Sequence, residues 1–222
     1  MHRDHLTRLL EFDTPTVGNG LERLRHGDPS AGYTGPDVRC LMPELGTRIG
    51  IAVTARLDTT SPGVDSPPSM FDDWLALIRD AAGSDTANQL PVFAVMEACG
   101  PRPRYTVTIG DGMGTHMTLA GAVAFLTNGC IRDIRGVQQI PLACWAAGLS
   151  PMHGRLRWLD INCPVVVDGM TVRPGDVIHA DDNGALVIPP HAVETVYEQA
   201  LAVRQAEQAL FARLRQKEPL RR

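Results

Sequence analysis

The stretch that decides the fold is residues 110–133, GDGMGTHMTLAGAVAFLTNGCIRD, which carries the patterns of a glycine loop, a helix, a strand and a turn in succession. Residues 113 to about 120 have helical apolar spacing, and Gly121 is a typical C-terminal stop for such a helix. Residues 123–127, VAFLT, follow as a buried strand, and Asn128-Gly129 is a turn signal. The stretch therefore predicts a helix and a return strand that lie next to each other.

The two ends of this stretch carry charged side chains. A strand that runs back after a short helix returns the chain to the start of that helix, so we expect Asp111, Arg132 and Asp133 to share one pocket. Unpaired N–H groups at a glycine-rich helix start leave room for an anion. Arg132 adds a planar cation, and the two aspartates supply the oxygen ligands that Mg²⁺ prefers. The pattern predicts a site for a small anion and a divalent metal.

Each of these residues also has a purely structural interpretation. An aspartate at a helix start is often only a cap, and an Arg-Asp pair is often only a surface ion pair. The pattern Gly110-x-Gly112-x-x-Thr115 also matches part of a dinucleotide-binding fingerprint, but it lacks the third glycine. The joint arrangement favours the anion and metal site over these alternatives.

The rest of the chain has the pattern of one α/β domain over residues 1–222. Short N-terminal helices precede a strand at 48–57, a helix at 70–82 and a strand at 91–98, and an amphipathic helix from 191 to about 216 ends the chain. Tight Asn-Gly and Asp-Asn-Gly turns occur beside strand–helix–strand units. This combination predicts a mixed sheet with helices packed on it.

Composition and charge narrow the possible partners and chemistry. The 222 residues include 21 Lys and Arg against 25 Asp and Glu, a net charge of −4, with no basic cluster, so we expect no nucleic-acid partner. No apolar run reaches the about 18 residues of a membrane span and no secretory signal is visible, so we expect no membrane association and a cytoplasmic location. The only lysine is Lys217, which argues against a Schiff-base mechanism.

Motifs along most of the chain resemble those of a known family. They are, in order, 13–17 (DTPTV), 50–54 (GIAVT), 129–133 (GCIRD), 164–165 (PV), 172–176 (VRPGD) and 180–184 (ADDNG). Together with Asp111 they make the chain similar to the superfamily of the regulator of ribonuclease activity A (RraA). The resemblance is to its class II pyruvate aldolases, which act on 4-hydroxy-4-methyl-2-oxoglutarate and 4-carboxy-4-hydroxy-2-oxoadipate.

The resemblance implies a fold and an assembly. The fold is a central mixed β-sandwich or barrel-like layer flanked by helices, with a C-terminal helix. The assembly is a homotrimer or homohexamer with active sites between subunits. Glu207 in the terminal helix is implied to reach the site of a neighbouring subunit.

The resemblance also implies roles for residues of this chain. Asp133 is implied to bind a divalent cation, Mg²⁺ or Mn²⁺, and Asp111 to hold a water on that metal and to act in catalysis. Arg132 is implied to contact the pyruvyl oxygen, as both a catalytic and a substrate-binding residue. The backbone of three consecutive residues is implied to hold the substrate carboxylate: Met113, Gly114 and Thr115.

The implied function is a metal-dependent lyase that cleaves a 4-hydroxy-2-oxo acid and releases pyruvate, with oxaloacetate decarboxylation as a side activity. Two alternatives stay open: a non-catalytic, protein-binding regulator of ribonuclease activity, and a related lyase on another hydroxy or sugar acid. Gly136 stands where many members carry an acid, which favours the enzyme over the regulator. His116 is either a proton donor or a residue of the helix surface, and we favour the surface. His153 either approaches a distal substrate carboxylate or has a structural role in its loop, and we favour the structural role.

Overall fold

A mixed sheet of eight strands forms the centre of the described part of the molecule. The structure, a computed structural model, describes residues 2–24, 29–85 and 87–217, so parts of the predicted domain 1–222 lie outside the described residues. The α-helices are α1 (Arg3–Thr7), α2 (Thr14–Glu22), α3 (Ser69–Ala82), α4 (Asp111–Ala120), α5 (Ile134–Val137) and α6 (Val193–Lys217). The strands are β1 (Arg39–Cys40), β2 (Arg48–Asp58), β3 (Val92–Ala98), β4 (Val107–Ile109), β5 (Ala122–Thr127), β6 (Cys130–Ile131), β7 (Ala143–Ala146), β8 (Gly148–Leu149), β9 (Arg157–Ile161), β10 (Val165–Val167), β11 (Met170–Val172), β12 (Val177–Asp181) and β13 (Gly184–Ile188).

The sheet combines a parallel centre with antiparallel edges. Its order is β1-β7-β5-β3-β2-β12-β13, and β9 pairs with β2 as well. The four strands β2, β3, β5 and β7 are parallel because α3, α4 and α5 lie in the connections between them. The strands β12, β9 and β1 join antiparallel. The predicted mixed sheet is therefore confirmed.

Apolar side chains on both faces of the sheet build the core. The helices α3 and α4 bury Trp74, Ile78 and Met117 against one face. The hairpin β10–β11 packs on the other face, and α1, α2 and α6 cover a third cluster beside β12 and β13. The sheet and hairpin form a barrel-like layer flanked by helices, with a C-terminal helix, as expected. Among the described helices, none has the combination of length and apolar composition needed to cross a bilayer.

Several predicted elements have different bounds in the structure. In helix α2, Asp13 Oδ1 accepts a hydrogen bond from Thr16 N at 2.9 Å and so caps the helix. Helix α4 begins at Asp111, two residues before the predicted start. Strand β7 begins at Ala143, and before it the turns that follow α5 continue to Ile140, whose N donates to Val137 O.

A buried histidine joins the N-terminal helices to β12. His179 Nε2 lies 3.2 Å from Leu9 O, and its Nδ1 lies 3.0 Å from Thr14 Oγ1. A carbonyl oxygen only accepts, so Nε2 carries the proton and Nδ1 accepts from the Thr14 hydroxyl. Burial lowers the pKa of His179 to about 4. The folded protein therefore holds this imidazole in its neutral form.

We expect acidification to destabilise the protein through His179. Between its unfolded pKa of 6.5 and its folded pKa of about 4, the unfolded chain binds more protons, so stability falls as the pH falls through this window. From about pH 7.5 to about pH 5 the loss is about 2 kcal/mol in the free energy of unfolding. Urea unfolding at both pH values measures it. The H179Q variant should lose this part of the pH dependence and the exposed H191Q control should keep it; an equal slope in H179Q would contradict the assignment.

Candidate active site

A small parallel sheet positions the candidate site. The strands β4, β6 and β8 pair side by side, with Ile109 opposite Ile131 and Ile131 in turn opposite Leu149. Arg132 N donates to Ile109 O at 3.0 Å, and Ser150 N donates to Ile131 O at 3.1 Å, which extends the alignment beyond the strands. Parallel strands end at one edge, so the residues that follow these three strands meet there.

The helix α4 begins at this edge, and its first turn faces the site. Gly114 N donates to Gly110 O at 3.0 Å, which is the first hydrogen bond of the helix. The N–H groups of residues 110–113 therefore have no main-chain acceptor within the helix, and Gly112 N donates instead to the Asp111 side chain at 2.7 Å. The implied role of the backbone of residues 113–115 toward the substrate carboxylate stays a prediction. Met113 lines the cleft, whereas the Gly114 amide is already used and Thr115 is not among the lining residues.

Gly110 permits a close approach of the charged pair to the helix start. A Cβ at this position would lie 2.5 Å from Asp133 Oδ2 and 3.0 Å from Arg132 Nε. The pair itself is an ion pair, with Arg132 Nε 3.0 Å from Asp133 Oδ2, and both side chains are partly exposed. Arg132 and Asp133 therefore form the ion pair of the structural interpretation and also line the predicted site.

Asp133 has an unusual backbone conformation. Its φ of 54° and ψ of 40° are left-handed, which is uncommon for a residue other than glycine. Its carbonyl accepts from Gly136 N at 2.8 Å and from Val137 N at 3.0 Å, which starts α5 directly after it. Strained backbone of this kind concentrates at functional sites, and here it holds the Asp133 carboxylate beside Gly110.

Asp111 packs against α5 through Gly136. Asp111 Oδ1 accepts from Gly112 N at 2.7 Å. A Cβ on Gly136 would overlap Asp111 Oδ2 and would lie 2.7 Å from Asp111 Cβ. The absence of a side chain at 136 is therefore what gives Asp111 its position. Asp111 does not cap α4 through its own side chain in the usual way, since the N-cap residue is Gly110.

Two adjoining cavities meet at Arg132 and Asp133. A cleft of about 240 Å³ is lined by residues 107–113, by these two residues, and by His153 and Leu156. A wider groove of about 590 Å³ runs from the same pair along residues 134–136 and 149–151. The structure thus brings Asp111, Met113, Arg132 and Asp133 together, as the sequence predicts.

The family model described as Aldolase/RraA matches residues 21–187. The chain belongs to the RraA-like family. A protein of Stutzerimonas stutzeri named "Putative 4-hydroxy-4-methyl-2-oxoglutarate aldolase" is 34% identical over 164 residues, which are 71% of this chain and 94% of that protein. Legionella pneumophila DlpA is 29% identical over 122 residues, 49% of this chain but only 20% of DlpA. The matched part of this chain therefore spans about a fifth of that relative.

The RraA-like fold is also found in solved structures. The crystal structure of an unusual member of the RraA protein family of RNase ES inhibitors, from Streptomyces coelicolor, superposes with a TM-score of 0.74. The two chains are 22% identical, and the match covers 96% of each. At this identity the likeness concerns the fold, so the chemistry of the site has to be argued from its own residues.

The two carboxylates of this RraA-like site suit a hard divalent cation. Asp111 and Asp133 supply oxygen donors, and glycines at 110 and 136 keep bulk away from both. Among the described residues there is no group of three or more His, Cys, Asp or Glu that would form a closed metal cage. Mg²⁺ commonly takes one or two carboxylates and keeps several waters, so an open cleft with two aspartates fits it.

His153, for which the sequence favours a structural role over contact with a distal substrate carboxylate, lines the cleft. Its Nδ1 lies 2.9 Å from Gly154 O, so Nδ1–H donates to that carbonyl and Nε2 is left for another partner. Ser150 was not singled out at all, and it lines the groove. Ser150 and His153 follow strand β8, which has only two residues, Gly148–Leu149. A strand of this length gives no periodicity signal that could have indicated their position from sequence.

Two further candidates lie away from this site. His116 is exposed on α4 with its ring 6.1 Å from that of Phe71, in agreement with the expected surface position. Glu207 lies on α6 beside a separate groove with Asn19 and Arg23, so it does not reach the site of its own chain. Its role toward a neighbouring subunit stays a prediction.

Proposed function

We propose that this RraA-like protein is a divalent-metal-dependent lyase that cleaves a 4-hydroxy-2-oxo acid by a retro-aldol reaction and releases pyruvate. The observation that carries the proposal is the meeting of Asp111, Arg132, Asp133 and the α4 start at the edge of β4, β6 and β8. The name of the Stutzerimonas relative supports the same class of reaction.

The pyruvyl half of the substrate binds at the helix start. The N–H group of Met113 donates to its carboxylate, and Arg132 donates to its keto oxygen. These donors are fixed before the reaction, since the helix and the parallel strands hold them. They stabilise the negative charge that develops on the enolate without rearranging during the reaction.

A divalent cation, when bound, supplies Lewis-acid stabilisation of that same charge. Asp133 is the residue that would hold it directly, and Asp111 would contribute through a water. Because Arg132 Nε is paired with Asp133 Oδ2, the guanidinium and the cation would act on the same end of the substrate.

Asp111 is also the base for the reaction. When the C3–C4 bond breaks, its electron pair goes to the pyruvyl half, and the C4 hydroxyl must lose its proton to become a carbonyl. The Asp111 carboxylate accepts that proton, directly or through one water, and the proton returns to C3 to give pyruvate. The same enolate forms when oxaloacetate loses CO₂, so we expect this side activity.

The assembly and location follow the same proposal. We propose a homotrimer or homohexamer in which Glu207 of α6 approaches the site of a neighbouring chain, and we propose that the protein works in the cytoplasm. Size-exclusion chromatography with light scattering measures the assembly directly.

The proposed function is tested by pyruvate release. We expect the protein to release pyruvate from 4-hydroxy-4-methyl-2-oxoglutarate and from oxaloacetate when Mg²⁺ or Mn²⁺ is present, measured by coupling to lactate dehydrogenase. A chelator should abolish the release, and excess Mg²⁺ should restore it. Absence of release, or release that survives the chelator, would refute the metal-dependent lyase and favour a protein-binding regulator.

A further inference from the structure

The groove next to the cleft contains an arginine without an acidic partner. Arg135 is exposed and lines this groove together with Leu149 and Ser150. Among the described residues, no carboxylate lies within ion-pair distance of Arg135. Its charge is therefore available to a ligand.

Three other cavity-lining arginines are already paired with carboxylates. Arg132 is bound to Asp133, and in the cavity beside the ends of β2 and β3 Arg56 lies 3.2 Å from Glu97. Arg104 in that cavity pairs with Asp37. Arg135 differs from these three, and the groove it lines carries a net positive charge.

The place of Arg135 relative to the cleft is fixed by α5. Asp133 is the N-cap residue of this helix and Arg135 lies in its single turn, so both belong to one rigid unit. A substrate held by its pyruvyl half at Arg132 must extend its departing half into one of the two cavities that meet there. The groove is the wider one, at about 590 Å³ against about 240 Å³ for the cleft.

We propose that Arg135 is a specificity-determining residue that binds a carboxylate on the departing half of the substrate. The inference rests on the proposed function, because that function places the pyruvyl half of the substrate at Arg132 and so orients the departing half. Arg135 selects 2-oxo acids with a second anionic group over those with an apolar end, because a guanidinium pairs with a carboxylate through two hydrogen bonds. It does not take part in breaking the C3–C4 bond.

A matched pair of ligands tests this without catalysis. 2-Oxoglutarate and 2-oxopentanoate share the pyruvyl end and the chain length, and they differ in the distal carboxylate. Neither carries the 4-hydroxyl group that cleavage requires. Binding of each to the full chain with Mg²⁺ is measured by isothermal titration calorimetry. We expect the wild type to bind 2-oxoglutarate about tenfold more tightly.

The variants assign the preference to Arg135. R135A should bind both ligands equally, with an unchanged Kd for 2-oxopentanoate, and R135K should keep part of the preference. The control R79A removes an exposed cation on α3, away from both cavities, and should behave as the wild type. Circular dichroism and thermal unfolding check that each variant is folded.

The outcomes separate this proposal from the proposed function. A wild type without preference or without binding, or a preference that survives in R135A, overturns the role of Arg135. If the preference depends on Arg135 but no 4-hydroxy-2-oxo acid is cleaved, the lyase assignment fails and the anion site stands. If cleavage occurs and R135A keeps the preference, the lyase stands and the anion site fails.

Discussion

Replacing Asp133 with asparagine is expected to reduce the kcat of pyruvate release about 10³-fold. The change removes one negative charge and almost no volume, so the cation loses its direct ligand and Arg132 loses its ion-pair partner. The backbone should stay in place, because asparagine tolerates the left-handed conformation that Asp133 adopts. Steady-state kinetics with varied Mg²⁺ measure the effect, which should include a higher Mg²⁺ requirement.

A matched control shows whether the loss of activity depends on removing the charge at the cleft or follows the removal of any similar aspartate charge. Asp168 is another aspartate with a left-handed backbone, at φ 49°, and its Oδ2 accepts from Asp37 N and Val38 N at 3.0 Å each. It lines the cavity beside Arg56 and lies outside the cleft. D168N should therefore keep the wild-type kcat. If D133N retains more than about a tenth of the activity, Asp133 is not the direct metal ligand.

The site could be predicted because its parts lie in one short stretch with strong local signals. The glycines at 110 and 112, the turn at Asn128-Gly129 and the pair after it determine where the helix starts and where the chain returns. The prediction that Asp111 and Asp133 share a cleft needed only these signals. In the structure, the parallel pairing of β4 with β6 is what brings the two aspartates together. These two strands are too short to be recognised from sequence as a separate sheet.

What the sequence could not provide depends on contacts between distant segments. Residues 150–153 come to the site through β8, which has no periodic pattern. The neutral, buried state of His179 depends on contacts with Leu9 and Thr14, 165 or more residues away. Local propensity carries no information about such contacts.

Replacing Gly136 with alanine is expected to lower kcat about 10²-fold, although the change adds only a methyl group. The new Cβ would overlap Asp111 Oδ2, so the base must turn out of the position it holds in the cleft. Alanine in place of a helical glycine is neutral or slightly stabilising in itself, but the new Cβ would also lie 2.7 Å from Asp111 Cβ, so α4 and α5 must separate slightly and a small loss of stability is expected. Kinetics and thermal unfolding together therefore distinguish displacement of Asp111 from damage to α5.

A double-mutant cycle shows whether the loss passes through Asp111. D111A alone should lower kcat at least as much as G136A, because it removes the base itself. In the D111A background the extra methyl group has no carboxylate to displace and meets only the Cβ at 111, so G136A should lower kcat much less there than in the wild type. Two independent losses that multiply would mean that Gly136 acts through something other than Asp111. Full activity in G136A would mean that the carboxylate works from another position, and the assignment of Asp111 as the base would then be wrong.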